Sequence, residues 1–223
     1  MFQKQSSWLF RGLGQWTLIA FAMAAMMTDE AGAKQPMKIV AFGDSLTAGY
    51  GVAPNDAFPA QLEKALRARG HSVELVNSGV SGDTAAAGLE RFDWAVPDNA
   101  DAVILELGAN DGLRGVDPQQ TRATLDTLIS RLRARKLPVL LTGMKAPRNW
   151  GDAYAIAYDA MFAELAERHG LILYPFFLDG VALDKGLNQG DGIHPTAKGV
   201  AEIVARMMPK VEELIGRVQA ERY

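Results

Sequence analysis

The sequence predicts an α/β protein of three layers, in which helices cover both faces of a five-stranded parallel sheet. Two observations carry this prediction. Short, continuous apolar runs recur along the chain, and such runs are typical of strands that are buried on both faces. Segments with apolar residues at helical spacing separate the runs, and this alternation favours parallel strands joined by crossover helices.

Five apolar runs are the expected strands. Ligands bind beyond the carboxyl ends of the strands in sheets of this kind. The segments that follow these runs are therefore where a functional site is expected. In chain order the runs are residues 38–42, 72–76, 102–107, 138–142 and 171–174.

Two of the predicted helices have clear sequence signals. Asp117 and Pro118 are a typical N-cap and first helical residue, and a longer helix is predicted over the apolar positions of 200–215. Pro195 is expected to begin that longer helix. The helix after Asp117 carries apolar residues at i, i+3, i+4 and i+7, which share one face, and these are Leu125, Leu128, Ile129 and Leu132.

Residues 1–33 differ from the rest of the chain and predict a secretory signal peptide. Two basic residues precede a 12-residue apolar run at 16–27, and an Ala-Gly-Ala sequence ends at Ala33, which is the pattern of an exported protein. The run spans only about 18 Å as a helix, whereas a bilayer core is about 30 Å thick; an uncleaved anchor is the alternative. We expect cleavage after Ala33, which leaves 34–223 as one periplasmic or secreted domain without a membrane span.

Composition narrows the classes of function. The chain has 23 Lys and Arg against 26 Asp and Glu, a formal net charge of −3, whereas nucleic-acid-binding proteins usually have a basic excess. It has no cysteine, which excludes disulfides, thiolate metal sites and a cysteine nucleophile. We expect no nucleic-acid partner, no metal and no organic cofactor, and a monomer or weak dimer.

Residues suited to nucleophilic catalysis follow the first and last predicted strands. Ser45 comes directly after the first strand, and His194 follows the last one, three residues after Asp191. A serine hydroxyl needs a base to remove its proton, and Asp191 can hold one ring nitrogen of His194 so that the other faces the serine. The other two histidines, His71 and His169, lie beside glycines at helix ends and are expected to be structural.

Acyl transfer at such a serine also requires donors to the developing oxyanion. The Ser45 N–H is one candidate. Gly82, after the second strand, is another, because glycine lets the backbone approach a substrate closely. Asn110, after the third strand, offers its side-chain amide. The alternative for Gly82 and Asn110 is ordinary turn formation, which both residue types favour.

Four segments together resemble the sequence blocks of the SGNH (GDSL) hydrolase family, in the family's order. Within the family, the stretches at 110–121 and 174–183 are similar to secreted bacterial arylesterases and multifunctional acyl-CoA thioesterase/lysophospholipases. Ala109 departs from the pattern, since some relatives carry a second glycine there. The blocks are GDSLTAGY at 43–50, the Ser-Gly-Asp segment at 81–83, GAND at 108–111 and DGIHP at 191–195.

The resemblance covers residues 34–223 and implies a flavodoxin-like sheet and an esterase mechanism. It implies a triad of Ser45, His194 and Asp191, with an oxyanion hole formed by Ser45, Gly82 and Asn110. The expected substrates are carboxylic esters and thioesters, such as aryl esters, acyl-CoA thioesters or lysophospholipids, which would be cleaved through an acyl-enzyme.

Apolar residues after the third, fourth and fifth strands are candidates for the substrate walls, because an apolar cleft suits an acyl chain or an aryl group. The alternative is that they pack beneath loops, in particular Phe176 and Phe177. The candidates are Leu113, Pro147, Trp150 and Phe176.

Other functions stay open at this point. A carbohydrate acetyl esterase would share the chemistry but would need a more polar site. A non-catalytic periplasmic binding protein would have an unactivated serine. A nucleotide-binding protein is disfavoured because the chain lacks the glycine-rich phosphate-binding motifs, and an α/β-hydrolase because no G-x-S-x-G surrounds the serine.

Overall fold

Five parallel strands form one sheet in the computed structural model, which describes residue 1 and residues 35–221. With the strands numbered along the chain, their order in the sheet is 2-1-3-4-5, the flavodoxin-like order, so the predicted fold class is confirmed. The predicted cleavage site lies outside the described residues. The strands are β1 (Met37–Gly43), β2 (Val73–Gly79), β3 (Ala102–Glu106), β4 (Val139–Thr142) and β5 (Ile172–Tyr174).

Helices cover both sides of the sheet. The helix Phe58–Ala68 packs against the helix Ala197–Glu221, while the helices Ala85–Glu90 and Asp152–His169 pack against Pro118–Ala134. Within residues 35–221 no helix combines the length and apolar character needed to cross a membrane. The helices are α1 (Ser45–Ala48), α2 (Phe58–Ala68), α3 (Ala85–Glu90), α4 (Phe92–Ala95), α5 (Ala109–Arg114), α6 (Pro118–Ala134), α7 (Asp152–His169) and α8 (Ala197–Glu221), with 3-10 turns at Pro54–Asp56 and Arg148–Trp150.

The two helices with clear sequence signals form, with one shifted boundary. Asp117 caps α6 by accepting a hydrogen bond from the Gln119 N–H at 2.9 Å, and the four apolar residues predicted to share a face are all buried. Helix α8 begins at Ala197 rather than at Pro195. Pro195 instead pairs with Asn188 in an isolated β-bridge.

Strand β2 extends three residues beyond its predicted end. Residues 77–79 favour turns, and the apolar run stops before them. They are strand because they pair in register with Ala41–Gly43 of β1, so tertiary pairing outweighs local preference.

The carboxyl ends of the three strands nearest the site are aligned by register. Gly43 pairs with Gly79 on one side and with Glu106 on the other. A Cβ at Gly43 would lie 2.1 Å from Thr47 Oγ1, so only glycine lets α1 turn so tightly out of β1. The strand order reverses between β1 and β3, where such folds bind ligands, and Ser45 begins α1 at this point.

Candidate active site

Ser45, His194 and Asp191 form one hydrogen-bonded series at the carboxyl edge of the sheet. His194 Nε2 lies 2.9 Å from Ser45 Oγ, and His194 Nδ1 lies 2.6 Å from Asp191 Oδ2. An ionised carboxylate only accepts hydrogen bonds, so Nδ1 carries the proton and Nε2 is free to accept the serine hydroxyl proton. The fold thus brings the three predicted residues together across 149 positions of sequence.

Asp191 is fixed by the loop that it orients. Its second oxygen, Oδ1, accepts hydrogen bonds from the N–H groups of Ile193 at 3.0 Å and His194 at 3.1 Å. The hydrogen bond from the His194 ring, followed by these two backbone bonds, lowers the pKa of Asp191 to about 2. The carboxylate therefore stays ionised at all but strongly acidic pH.

Tyr50 covers the candidate base, a role that sequence analysis did not give it. Its ring centroid lies 4.5 Å from that of His194, with the planes tilted by 38°. Tyr50 ends the GDSLTAGY block and follows Gly49, whose φ of 84° requires glycine. An aromatic residue at the end of a nucleophile motif was the available signal.

Asn110 lies between the serine segment and the loop after β2. Its Nδ2 donates to Asp44 Oδ2 at 3.0 Å and to the Asp83 carbonyl at 2.9 Å. Gly82 precedes Asp83 and has a φ of 89°, so the bond to the Asp83 carbonyl joins Asn110 to the loop that carries Gly82. Both amide hydrogens of Asn110 are engaged within the protein, and an oxyanion would have to share one of them.

Two buried carboxyl groups, Asp44 and Glu106, lie directly beneath the nucleophile. Both side chains are fully buried. Glu106 Oε2 accepts hydrogen bonds from the Asp44 N–H at 3.2 Å and the Thr47 hydroxyl at 2.8 Å, whereas its Oε1 has no partner. Burial raises the pKa of Asp44 to about 6, and burial together with the charge of Asp44 holds the pKa of Glu106 well above its usual range.

Sequence analysis missed Glu106 because it belongs to an apolar strand run. A single acid inside a strand expected to be buried on both faces was the signal that could have revealed it, since isolated buried acids rarely occur without a structural or functional reason.

Arg91 joins the loop after β2 to the end of β1, and it too was missed. The side chain is nearly fully buried. Its Nε donates to Asp83 Oδ2 and its Nη2 donates to the Gly43 carbonyl at 2.8 Å, while the guanidinium lies 4.5 Å above the Phe42 ring. The residue that orients Asn110 is thereby tied to the strand that presents Ser45.

Of the four candidate substrate-wall residues, Leu113 and Trp150 lie together at α5, whereas Phe176 contacts a different side chain. Trp150 donates from its indole N–H to the Gly112 carbonyl at 3.1 Å, so it lies beside α5, which carries Leu113. These two side chains are 46% and 44% exposed. Phe176 instead lies under the Lys145 ammonium, 4.8 Å from it. Pro147 is half-buried just before the turn that carries Trp150.

Phe177 packs in the core, where it is fully buried with its ring centroid 5.1 Å from that of Phe58. Phe177 therefore packs inside the protein, as the alternative expectation had it, and does not line a substrate cleft.

The other two histidines contact acids on surface helices. His169 Nε2 lies 2.7 Å from Asp126 Oδ1, and His71 Nε2 lies 3.7 Å from Glu212. A cleft of about 750 Å³ near His169 lies at the amino ends of the strands, opposite the edge that carries Ser45. Within residues 35–221, no three His, Asp or Glu side chains are grouped so that they could hold a metal ion.

Comparisons with known proteins identify the family of the chain. Residues 41–201 match the GDSL-like Lipase/Acylhydrolase family. Esterase TesA of Pseudomonas aeruginosa is 34% identical over 199 residues, which cover 89% of this chain and 98% of that protein. Thioesterase 1/protease 1/lysophospholipase L1 of Escherichia coli K12 is 34% identical over 207 residues, which cover 92% of this chain and 97% of that protein.

A solved structure extends the comparison to three dimensions. The crystal structure of AlinE4, an SGNH-hydrolase family esterase, has a TM-score of 0.69 and 44% sequence identity, and covers 80% of this chain and 96% of that one. The family match begins within β1 and ends within α8, so it includes all four sequence blocks and the expected family is confirmed. The chain belongs to the GDSL-like lipase/acylhydrolase (SGNH hydrolase) family.

Proposed function

We propose that this family member hydrolyses carboxylic esters and thioesters through an acyl-enzyme on Ser45. Ester hydrolysis is the reaction class of its esterase and thioesterase relatives. The observation that carries the role of Ser45 is the hydrogen-bonded series through His194 to Asp191. That series is the arrangement in which a neutral serine becomes a nucleophile.

The proposed reaction has two proton-balanced halves. Ser45 Oγ attacks the acyl carbonyl carbon while His194 Nε2 takes the hydroxyl proton. His194 then gives that proton to the leaving alcohol or thiol as the bond to the acyl carbon breaks. Water then attacks the acyl carbon while His194 Nε2 takes one of its protons. His194 returns that proton to Ser45 Oγ as the bond between Oγ and the acyl carbon breaks and the carboxylic acid leaves. Asp191 stays ionised throughout and stabilises the imidazolium.

The oxyanion that forms in each half is assigned to three donors, namely the N–H groups of Ser45 and Gly82 and the amide of Asn110. One such donor is typically worth about 2.7–4 kcal/mol of transition-state stabilisation. The contact of Asn110 with Asp44, the residue before Ser45, supports its place in this set, although the oxyanion would share an amide hydrogen that is already engaged.

The proposed substrates carry an apolar acyl or aryl group, as in aryl esters, acyl-CoA thioesters and lysophospholipids. The exposed side chains of Leu113, on the helix that carries Asn110, and of Trp150, which bonds to the same helix, support this class. A carbohydrate acetyl esterase is not favoured, because an apolar wall of this kind offers sugar hydroxyls few partners. We further propose export to the periplasm or medium, on the strength of the predicted signal peptide alone.

The test is the Ser45→Ala variant, assayed with p-nitrophenyl esters, acyl-CoAs and lysophospholipids. We expect kcat/KM to fall by about 10⁴-fold or more and labelling by a fluorophosphonate probe to be lost, with thermal unfolding unchanged. Ser130→Ala, at an exposed position of α6, is the matched control and should behave as wild type. Substantial turnover by Ser45→Ala would refute the acyl-enzyme mechanism.

A further inference from the structure

The loop that carries His194 is exposed, whereas α1, which begins at Ser45, packs against β1 and β2 of the sheet. We call residues 188–195 the histidine loop. Its centre, residues 190–193, is exposed and contains two glycines. Because a misplacement of about 1 Å can cost roughly 100-fold in rate, this loop needs a contact that fixes it relative to Ser45.

Gln189 makes that contact with its side-chain amide. Its Nε2 donates to the Tyr50 carbonyl at 2.7 Å and to the Pro195 carbonyl at 2.9 Å. The first bond crosses from the histidine loop to the segment that follows α1. The second closes the loop immediately after His194.

The backbone of Gln189 holds the same loop from within. Its N–H donates to the His194 carbonyl at 2.8 Å, and its carbonyl accepts from the Gly192 N–H at 3.0 Å. Gln189 therefore bonds to His194 and to Pro195, and it links both to the segment that follows α1.

The segment that follows α1 has space for the Gln189 side chain. Gly51 has a φ of 72°, and a Cβ there would lie 2.1 Å from Gln189 Oε1. Gly51 thus leaves the space that Gln189 occupies. The carbonyl that Gln189 binds belongs to Tyr50, whose ring covers His194, so one hydrogen bond sets the position of both the loop and its aromatic cover.

We propose that Gln189 is a positioning residue, which holds the histidine loop against the segment after α1 and so keeps His194 Nε2 within hydrogen-bond reach of Ser45. The inference rests on the proposed function of Ser45 and His194. Gln189 acts through His194 and does not contact the reacting atoms.

The chemistry of the contact requires an amide. Two carbonyl oxygens face Nε2, and an amide nitrogen supplies one hydrogen to each. Methionine has a similar length but no donor, whereas glutamate would place acceptor against acceptor. Gln189→Met and Gln189→Glu therefore remove the contact in two different ways.

The experiment compares these variants with wild type and with Gln120→Met, an exposed glutamine on α6. For Gln189→Met we expect kcat on a p-nitrophenyl ester to fall by about 10–100-fold with KM within about twofold. We expect the rate of fluorophosphonate labelling of Ser45 to fall by the same factor, and Gln189→Glu to lose at least as much. Gln120→Met should match wild type in every measurement.

Tyr50→Ala separates the hydrogen bond from the aromatic cover, because it keeps the carbonyl that Gln189 binds. We expect its kcat to fall less than that of Gln189→Met. A loss at Tyr50→Ala equal to or larger than that of Gln189→Met would overturn the proposal, since the ring would then be the positioning element.

Wild-type kcat in both Gln189 variants would also overturn the proposal, as would a loss that disappears once the folded fraction, measured by thermal unfolding, is taken into account. If Gln189→Met does not fold, Gln189→Asn keeps the amide but shortens the side chain by one methylene, so that it loses the bond to the Tyr50 carbonyl, and it should give the same fall in kcat. None of these outcomes bears on Ser45→Ala, so failure of this inference leaves the proposed function standing.

Discussion

The two halves of the triad lie in contrasting surroundings. Ser45 stands on a fully buried group of polar side chains, Asp44, Thr47 and Glu106. The His194 half lies on an exposed loop, where the Asp191 side chain is 38% accessible to solvent. The nucleophile is thus placed by the core of the fold, and the base by a few local hydrogen bonds. Substitutions beneath Ser45 should therefore change stability, whereas substitutions around His194 should change catalysis alone.

Asp191→Asn gives the largest expected effect on the exposed side. An asparagine amide can donate towards His194 Nδ1 and favour the wrong tautomer, so we expect kcat to fall by about 10³–10⁴-fold, less than for Ser45→Ala. Thermal unfolding should change little. Steady-state kinetics measures the fall in kcat, and differential scanning calorimetry measures thermal unfolding. Wild-type activity in this variant would mean that Asp191 only caps the backbone of its loop and does not orient His194.

Asn110→Ala should change both catalysis and stability, because Asn110 bonds to buried Asp44 and to the partly exposed loop after β2. Loss of one oxyanion donor should lower kcat by about 10²–10³-fold. It also removes a donor from the Asp44 carboxylate, so the free energy of unfolding should fall at neutral pH. Kinetics and urea unfolding measure the two effects, with Asn99→Ala as an exposed control. A stability loss with full activity would remove Asn110 from the proposed oxyanion hole.

The fold was predictable where the signal is local. The strands β1 and β3 are continuous apolar runs, and α6 has a typical cap and a single apolar face. The end of β2 was not predictable, because Asn77–Gly79 are strand only through pairing with β1. The start of α8 shifted because Pro195 pairs with Asn188, a contact within the loop that the proline signal ignores.

The candidate site divides in the same way. Ser45, His194 and Asp191 could be found because each lies in a recognisable motif after a strand. Glu106 could be noticed only as an isolated acid in an apolar run, and Gln189 could not be found at all, since their roles depend on which atoms approach them. The sequence separates Gln189 from Tyr50 by 139 positions, and no periodicity indicates that the two meet.

Glu106→Gln is the smallest and most selective test, directed at the buried side. Burial raises the pKa of Asp44 to about 6 and that of Glu106 well above its usual range. Above about pH 4 the unfolded chain therefore loses these protons before the folded chain does, and the free energy of unfolding falls as pH rises through this window.

A glutamine at 106 keeps the acceptor for Asp44 N–H and Thr47 but cannot ionise. Relative to wild type, Glu106→Gln should therefore gain stability steadily as pH rises from about 4.5 to 8. Its kcat should stay within about threefold of wild type, because Glu106 contacts neither His194 nor the oxyanion donors in the proposed mechanism. Urea unfolding across that pH range measures the difference, with exposed Glu90→Gln as the control. A difference that does not vary with pH would mean that Glu106 is not titrated on unfolding, and the buried half of the site would then owe its rigidity to packing and hydrogen bonds alone.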